Sequence, residues 1–214
     1  MNYAVEQLIL PSTVKILTST MLNNYDRVKK LTISHDFWFD DDCAGAFGRM
    51  KSLKEFRVSS PHLRFFTEKG ILYTRDADNL YNFSLPCEHI RGGKILVSVP
   101  PAYPQEDFVV PEDVVAIYWG AFDGCRFKTI TLPNNLEVLD CGTIRNVAGL
   151  KCIKIPNKVF WTEGIGSLIG VKYESKDGSI LDEEVCELWD FWTTKLPIHN
   201  HTKELGEELW CTSP

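Results

Sequence analysis

Short apolar-x-apolar triplets, rather than long periodic runs, set the pattern of this chain. They are Leu31-Thr32-Ile33, Phe56-Arg57-Val58, Phe108-Val109-Val110, Ile130-Thr131-Leu132 and Ile153-Lys154-Ile155. Alternation over so few residues describes a short, half-buried strand. Proline closes several such strands, at Leu10-Pro11, Val110-Pro111, Leu132-Pro133 and Ile155-Pro156, because it cannot donate to a ladder. The later triplets recur at 22 and 23 residues and the earlier pair at 25. A period of this size predicts a solenoid, in which each coil buries its apolar side only against its neighbours.

A second signal sits inside the coils. Gly45-Ala46-Phe47 leads through Met50 to Leu53 and Phe56, and Gly120-Ala121-Phe122 leads through Cys125 to Phe127 and Ile130. The coil at 133–155 keeps Ile144, Val147, Leu150 and Ile153 at steps of three. Steps of three with proline at strand ends suit a solenoid turn and not a helix of period 3.6. Stacked rungs of Phe, Met, Cys and Leu would form one continuous core.

The run from Val110-Pro111 through Gly120-Ala121-Phe122-Asp123-Gly124-Cys125 to Ile130-Thr131-Leu132-Pro133 resembles the BspA-type leucine-rich repeat, over roughly residues 8–156. Lys69-Gly70-Ile71-Leu72-Tyr73-Thr74 with Leu80-Tyr81-Asn82-Phe83 is similar to the hairpin inserted between repeats of that family. Independently, 70–74 and 80–83 read as two strands joined by a polar turn. The pattern departs from the family at 87–107, where an extra strand Ile95-Leu96-Val97 is expected, and at Thr143-Ile144 in place of Ala-Phe. The expected fold is mainly β with some α, a short leucine-rich-repeat solenoid of right-handed β/α coils with an inserted hairpin at about 61–107.

Residues 157–214 leave the repeat. Asp177-Gly178 predicts a tight turn between Val171-Lys172-Tyr173 and Ser179-Ile180-Leu181. Leu181, Val185, Leu188, Trp189, Trp192 and Leu196 then recur at helical spacing until Pro197. Such a segment reads as an acidic, Trp-rich C-terminal cap of the same domain, covering the last coil.

Charge sharpens this division. The net charge of -6 falls entirely on 157–214, with 11 acids against 5 bases, while 1–156 balances 18 against 18. A neutral body and an acidic tail exclude general nucleic-acid binding, which needs clustered Lys and Arg. No run approaches the length of a membrane-spanning helix, and Met1-Asn2-Tyr3-Ala4 does not open a signal peptide. The 7 cysteines are odd in number and irregular in spacing, which argues for buried thiols in a reducing compartment. The sequence therefore reads as cytoplasmic, with a secreted or cell-surface location the alternative if a signal has been removed.

Candidate chemistry is sparse. Cys87-Glu88-His89 and His199-Asn200-His201 with Cys211 lack zinc-knuckle spacing, and Asp40-Asp41-Asp42 lacks the later ligands of a calcium loop. There is no Gly-x-Ser-x-Gly elbow. Gly164-Ile165-Gly166 with Gly170 misses the dinucleotide spacing, and Arg91-Gly92-Gly93-Lys94 reads as a turn. No catalytic residue, metal or cofactor is expected.

A binding surface is the remaining site type. By strand alternation Lys30, Thr32, Glu55, Arg57, Thr129, Thr131 and Lys154, with Cys152, point away from the core. That column is either a partner site or a plain solvated sheet face. Trp189 and Trp192 are the second candidate, either packed in the cap or exposed as docking anchors. The resemblance implies protein–protein interaction or adhesion with another protein as partner. Two rivals stand beside it: an enzyme or metal-dependent protein using the Cys/His residues of the tail, and a structural subunit that oligomerises through that tail.

Overall fold

Alternation along the triplets does become burial. Leu31 and Ile33 are buried while Lys30 and Thr32 are half-buried, and Ile153 and Ile155 are buried on either side of exposed Lys154. In the computed structural model, residues 5–18, 20–39, 45–61, 63–76, 93–136, 138–139, 143–155, 172–175 and 180–181 are described.

The strands, in chain order, are β1 Gln7–Ile9, β2 Ile16–Leu17, β3 Lys30–Ile33, β4 Trp38–Phe39, β5 Glu55–Val58, β6 Phe65–Glu68, β7 Ile71–Thr74, β8 Lys94–Ser98, β9 Asp107–Val109, β10 Val114–Ile117, β11 Thr129–Thr131, β12 Val138–Leu139, β13 Cys152–Ile155, β14 Lys172–Ser175 and β15 Ile180–Leu181. Most pairings are parallel and join strands one coil apart, as in Lys30↔Glu55, Ile16↔Trp38 and Thr129↔Cys152. This is a mainly β solenoid of stacked coils.

The expected α content is corrected. Among the described residues the one helical piece is a single 3-10 turn, Ala46–Arg49. Its period of three matches the steps of three in the sequence, so the turn is too tight to become an α-helix. The turn opens on Gly45 at φ 75, and the equivalent Gly120 has φ 67. Both supply the left-handed conformation that lets Ala46 and Phe47, and likewise Ala121 and Phe122, drop into the core.

The hairpin is corrected as well. β7 pairs antiparallel with β6 on one side and with β8 on the other. Both of its edges are therefore taken; residues 80–83, expected as the second strand of the hairpin, lie outside the described residues. The hairpin turn is Lys69-Gly70, with φ 50 and 80, the pair of positive values that a two-residue hairpin needs. The extra strand expected at 95–97 is present as β8.

The larger correction concerns the core, which is two clusters instead of one. The five-stranded sheet β12-β10-β8-β7-β6 lies between them. Leu72, Ile95, Val97, Ala116 and Tyr118 face a first cluster with Leu31, Ile33, Phe39, Phe47 and Phe56. Ile71, Tyr73, Leu96 and Ile117 face a second cluster with Phe108, Phe122, Cys125, Phe127, Ile130 and Ile153. All five residues of β8 are buried, the signature of a strand covered on both faces. The two sheets β1-β3-β5 and β9-β11-β13-β14-β15 thus cover opposite faces of the central sheet.

Aromatic side chains make the first junction. Phe65 at the start of β6 stacks on Phe37 at 4.9 Å and meets Phe39 edge-on at 6.0 Å, while Phe39 reaches Tyr118 of the central sheet at 5.7 Å. In the second cluster Phe108 stacks on Phe127 at 4.9 Å. The turns of the two halves also abut. A Cβ on Gly124 would fall 2.3 Å from the Gly48 carbonyl oxygen.

At the far end β14 continues the ladder in parallel beside β13, and β15 turns back on it antiparallel. The hairpin expected around Asp177-Gly178 is present in these strands. The helix expected from Leu181 to Leu196, and the rest of the proposed cap, lie outside the described residues.

Two buried ionisable groups give an alkaline limit to stability. Burial, and secondarily the charge of Asp123, pushes the Cys125 thiol up; it donates to the Val99 and Pro100 carbonyls. Burial, then the charge of Glu68, pushes the Tyr73 phenol up. Both are neutral when folded and ionise earlier in the unfolded chain. Their stabilisation is complete below the unfolded pKa values, about 8.5 for Cys and about 10 for Tyr. It declines as pH rises through and above them, by up to about 1.4 kcal/mol per pH unit for each group. Urea midpoints at successive pH values should fall from about pH 9 upward; a flat profile to about pH 11 would refute the assignment.

Candidate interaction surface

The outward column expected from alternation exists, but in two pieces. Register places Lys30 beside Glu55 and Thr32 beside Arg57 on β3 and β5, and Thr129 beside Cys152 and Thr131 beside Lys154 on β11 and β13. The two pieces belong to different sheets. Beside the first piece sits the hairpin turn, where Phe56 N–H donates to the Gly70 carbonyl at 2.8 Å. A Cβ on Gly70 would lie 2.9 Å from that of Glu55. Trp189 and Trp192 lie outside the described residues.

On the first piece Glu55 is the hub. Its carboxylate accepts from Arg57 at 2.7 Å and lies 3.2 Å from Lys30. Burial works to raise its pKa, but the bonds and charges of Lys30 and Arg57 outweigh it and hold the group below the usual carboxylate range. On the second piece Cys152 replaces that acid, and the acid in register with Lys154 comes from the next strand, Glu174 of β14.

Just before the strands runs a further row that the alternation argument did not include. Lys29 pairs with Glu6 and Lys128 with Glu106, both at 2.5 Å. The bond from Lys29 lowers the Glu6 pKa, and that from Glu106 raises the Lys128 pKa. These pairs are exposed and each contributes little to stability. The bases that sequence reasoning missed here, Lys29, Lys54, Lys128 and Lys151, stand two positions before the first residue of four of the five triplets, and the fifth has Glu106 at that place. Their common offset was the available signal.

One charged cluster lies elsewhere. Lys94 at the start of β8 is only 2% exposed. Its ammonium hydrogen-bonds Glu68 of β6, lies 3.2 Å from Asp113 before β10, and sits 4.3 Å from the Tyr73 ring centroid. One cation thereby ties three strands of the central sheet. Nothing in the local sequence Gly92-Gly93-Lys94 marked this lysine as buried, because its carboxylates come from 26 residues before and 19 after.

A cleft between the halves, lined by Phe39, Phe47, Val97, Tyr118 and Trp119 among others, has room for about one water molecule. Among the described residues no three His, Cys, Asp or Glu side chains converge on a metal position, and no helix is long and apolar enough to cross a membrane.

Comparison with known proteins names the repeat. Residues 103–164 match the family described as BspA type leucine rich repeat region (6 copies). Among solved structures it is similar to a leucine-rich repeat protein from Eubacterium ventriosum, with 20% identity and a TM-score of 0.50 over 70% of this chain and 37% of that one. It also matches a leucine rich cell surface protein from Faecalibacterium prausnitzii (14% identity, TM-score 0.38, 72% and 55% of the chains). A third match is the pneumococcal vaccine antigen PcpA (13% identity, TM-score 0.40, 87% and 65%). The chain therefore spans between 37% and 65% of the lengths of these proteins. No curated protein matches it.

Proposed function

We propose that this chain is a non-catalytic repeat scaffold that binds another protein through the outward faces of β1-β3-β5 and β9-β11-β13. The observation that carries this reading is the division of labour along each strand. Inward residues are committed to the cores, while Thr32 and Thr131, half-buried, and Arg57 and Lys154, exposed, are held outward in register on the ladder.

Affinity capture from the native host tests the proposal. The double variant Arg57→Glu and Lys154→Glu is expected to lose the captured partner. Lys15→Glu, exposed beside β2 and away from both faces, is expected to keep it. Capture that survives the double variant would place the binding surface elsewhere.

A further inference from the structure

The two outward faces carry the same pattern of side chains. Before the strands, the first sheet has Glu6, Lys29 and Lys54 in backbone register, and the second has Glu106, Lys128 and Lys151. In each, the acid pairs with the first lysine. Among the described residues the second lysine, Lys54 or Lys151, has no ion pair. At the far outward position the first sheet aligns Ile9, Thr32 and Arg57, and the second aligns Val109, Thr131 and Lys154. Over these three strands each row runs apolar, threonine, cation, and in the second sheet β14 then adds Glu174 beside Lys154. Ile9 and Val109 are 64% and 62% exposed, so no core explains an apolar residue at either place.

The interior does not repeat in step with this surface. Gly45-Ala46-Phe47 lies between the second and third strands of the first sheet, whereas Gly120-Ala121-Phe122 lies between the first and second strands of the other. The coils that match outside are thus not the coils that match inside. Packing cannot have imposed the shared surface pattern.

We infer that the protein carries two like recognition faces, on opposite sides of the central sheet, each accepting an extended protein segment that combines acidic and apolar side chains. Charge supports the choice of partner. The outward and preceding positions of the first face hold four cations against two anions, and those of the second hold three against two. Both are locally positive on a body, residues 1–156, that is neutral. The exposed Ile9 and Val109 select a peptide over a purely anionic polymer, since an apolar anchor beside a cation gains nothing from phosphate or sulfate. Two separate faces make the molecule bivalent, able to bridge two partner segments. The inference rests on the proposed ladder-face function and adds its stoichiometry and chemistry.

Calorimetric titration of the full chain with a capped hexapeptide of alternating glutamate and leucine tests it. Two peptides per chain are expected, with affinity falling as salt rises from about 50 to about 200 mM. Lys54→Glu and Lys151→Glu should each reduce the count to one, and the pair to none, with circular dichroism unchanged because both side chains are exposed. One peptide per chain, no binding, or two sites indifferent to these variants would each overturn the inference. Host capture abolished by Arg57→Glu with Lys154→Glu, alongside a count of one, would retain the ladder-face function and remove only the duplication. Capture indifferent to those variants would remove the function itself.

Discussion

Gly124→Ala is expected to destabilise the fold by about 3 kcal/mol or more. Two costs combine. Gly124 sits at φ 75, where an L side chain costs roughly 1–2 kcal/mol. Its new Cβ would also lie 2.3 Å from the Gly48 backbone oxygen, and separating two backbones in a packed interior costs roughly 1–3 kcal/mol more. Gly149→Ala isolates the first cost, because Gly149 has φ 81 and nothing within 4 Å of its Cβ position. It should lose only about 1–2 kcal/mol. For a chain of this size the Gly124 variant should melt roughly 6–12 °C lower. Equal losses in thermal unfolding would mean that the turns of the two halves do not meet as described.

The second large effect belongs to Lys94. Replacing Glu68 by Gln and Asp113 by Asn together removes both anions from an ammonium that is 2% exposed. A buried charge stripped of its partner costs about 3–5 kcal/mol. The carboxylates themselves are at least half exposed, so water can partly replace them and the lower figure applies. Lys94→Met keeps the length of the side chain and removes the charge, leaving two acids that water can solvate. It should cost less than about 1.5 kcal/mol. Urea unfolding in which Lys94→Met proves as damaging as the double variant would show that the lysine contributes by packing and not by its ion pairs.

Residue periodicity disclosed the coils because each strand exposes one face of the ladder and buries the other. Leu31, Phe56, Phe108, Ile130 and Ile153 all follow that rule, and so do their outward neighbours. It failed where a strand is buried twice. Leu96 and Ile117 are apolar for one core, Ile95 and Ala116 for the other, and a continuous apolar run carries no record of which side faces which cluster. The reversed strand β7 misled for a related reason. Its apolar run could be recognised, but its partner β8 arrives after an interval of 19 residues between Thr74 and Lys94. The preferred local partner, Leu80-Tyr81-Asn82-Phe83, had the better turn between them. The candidate surface was legible in its strand positions and not in the lysine row before them, because alternation assigns a side only within a strand.

Repeat arrays ordinarily change length freely, since each coil touches only its neighbours and the removal of one closes the gap between two equivalents. This molecule has lost that liberty. Its central sheet has two different insides, so the coils before it and after it are not interchangeable. Excising any coil of either half would leave apolar residues such as Val97 or Leu96 facing water. The arrangement fixes the number and order of the coils it joins, and it obliges both halves to form in one cooperative step around β8.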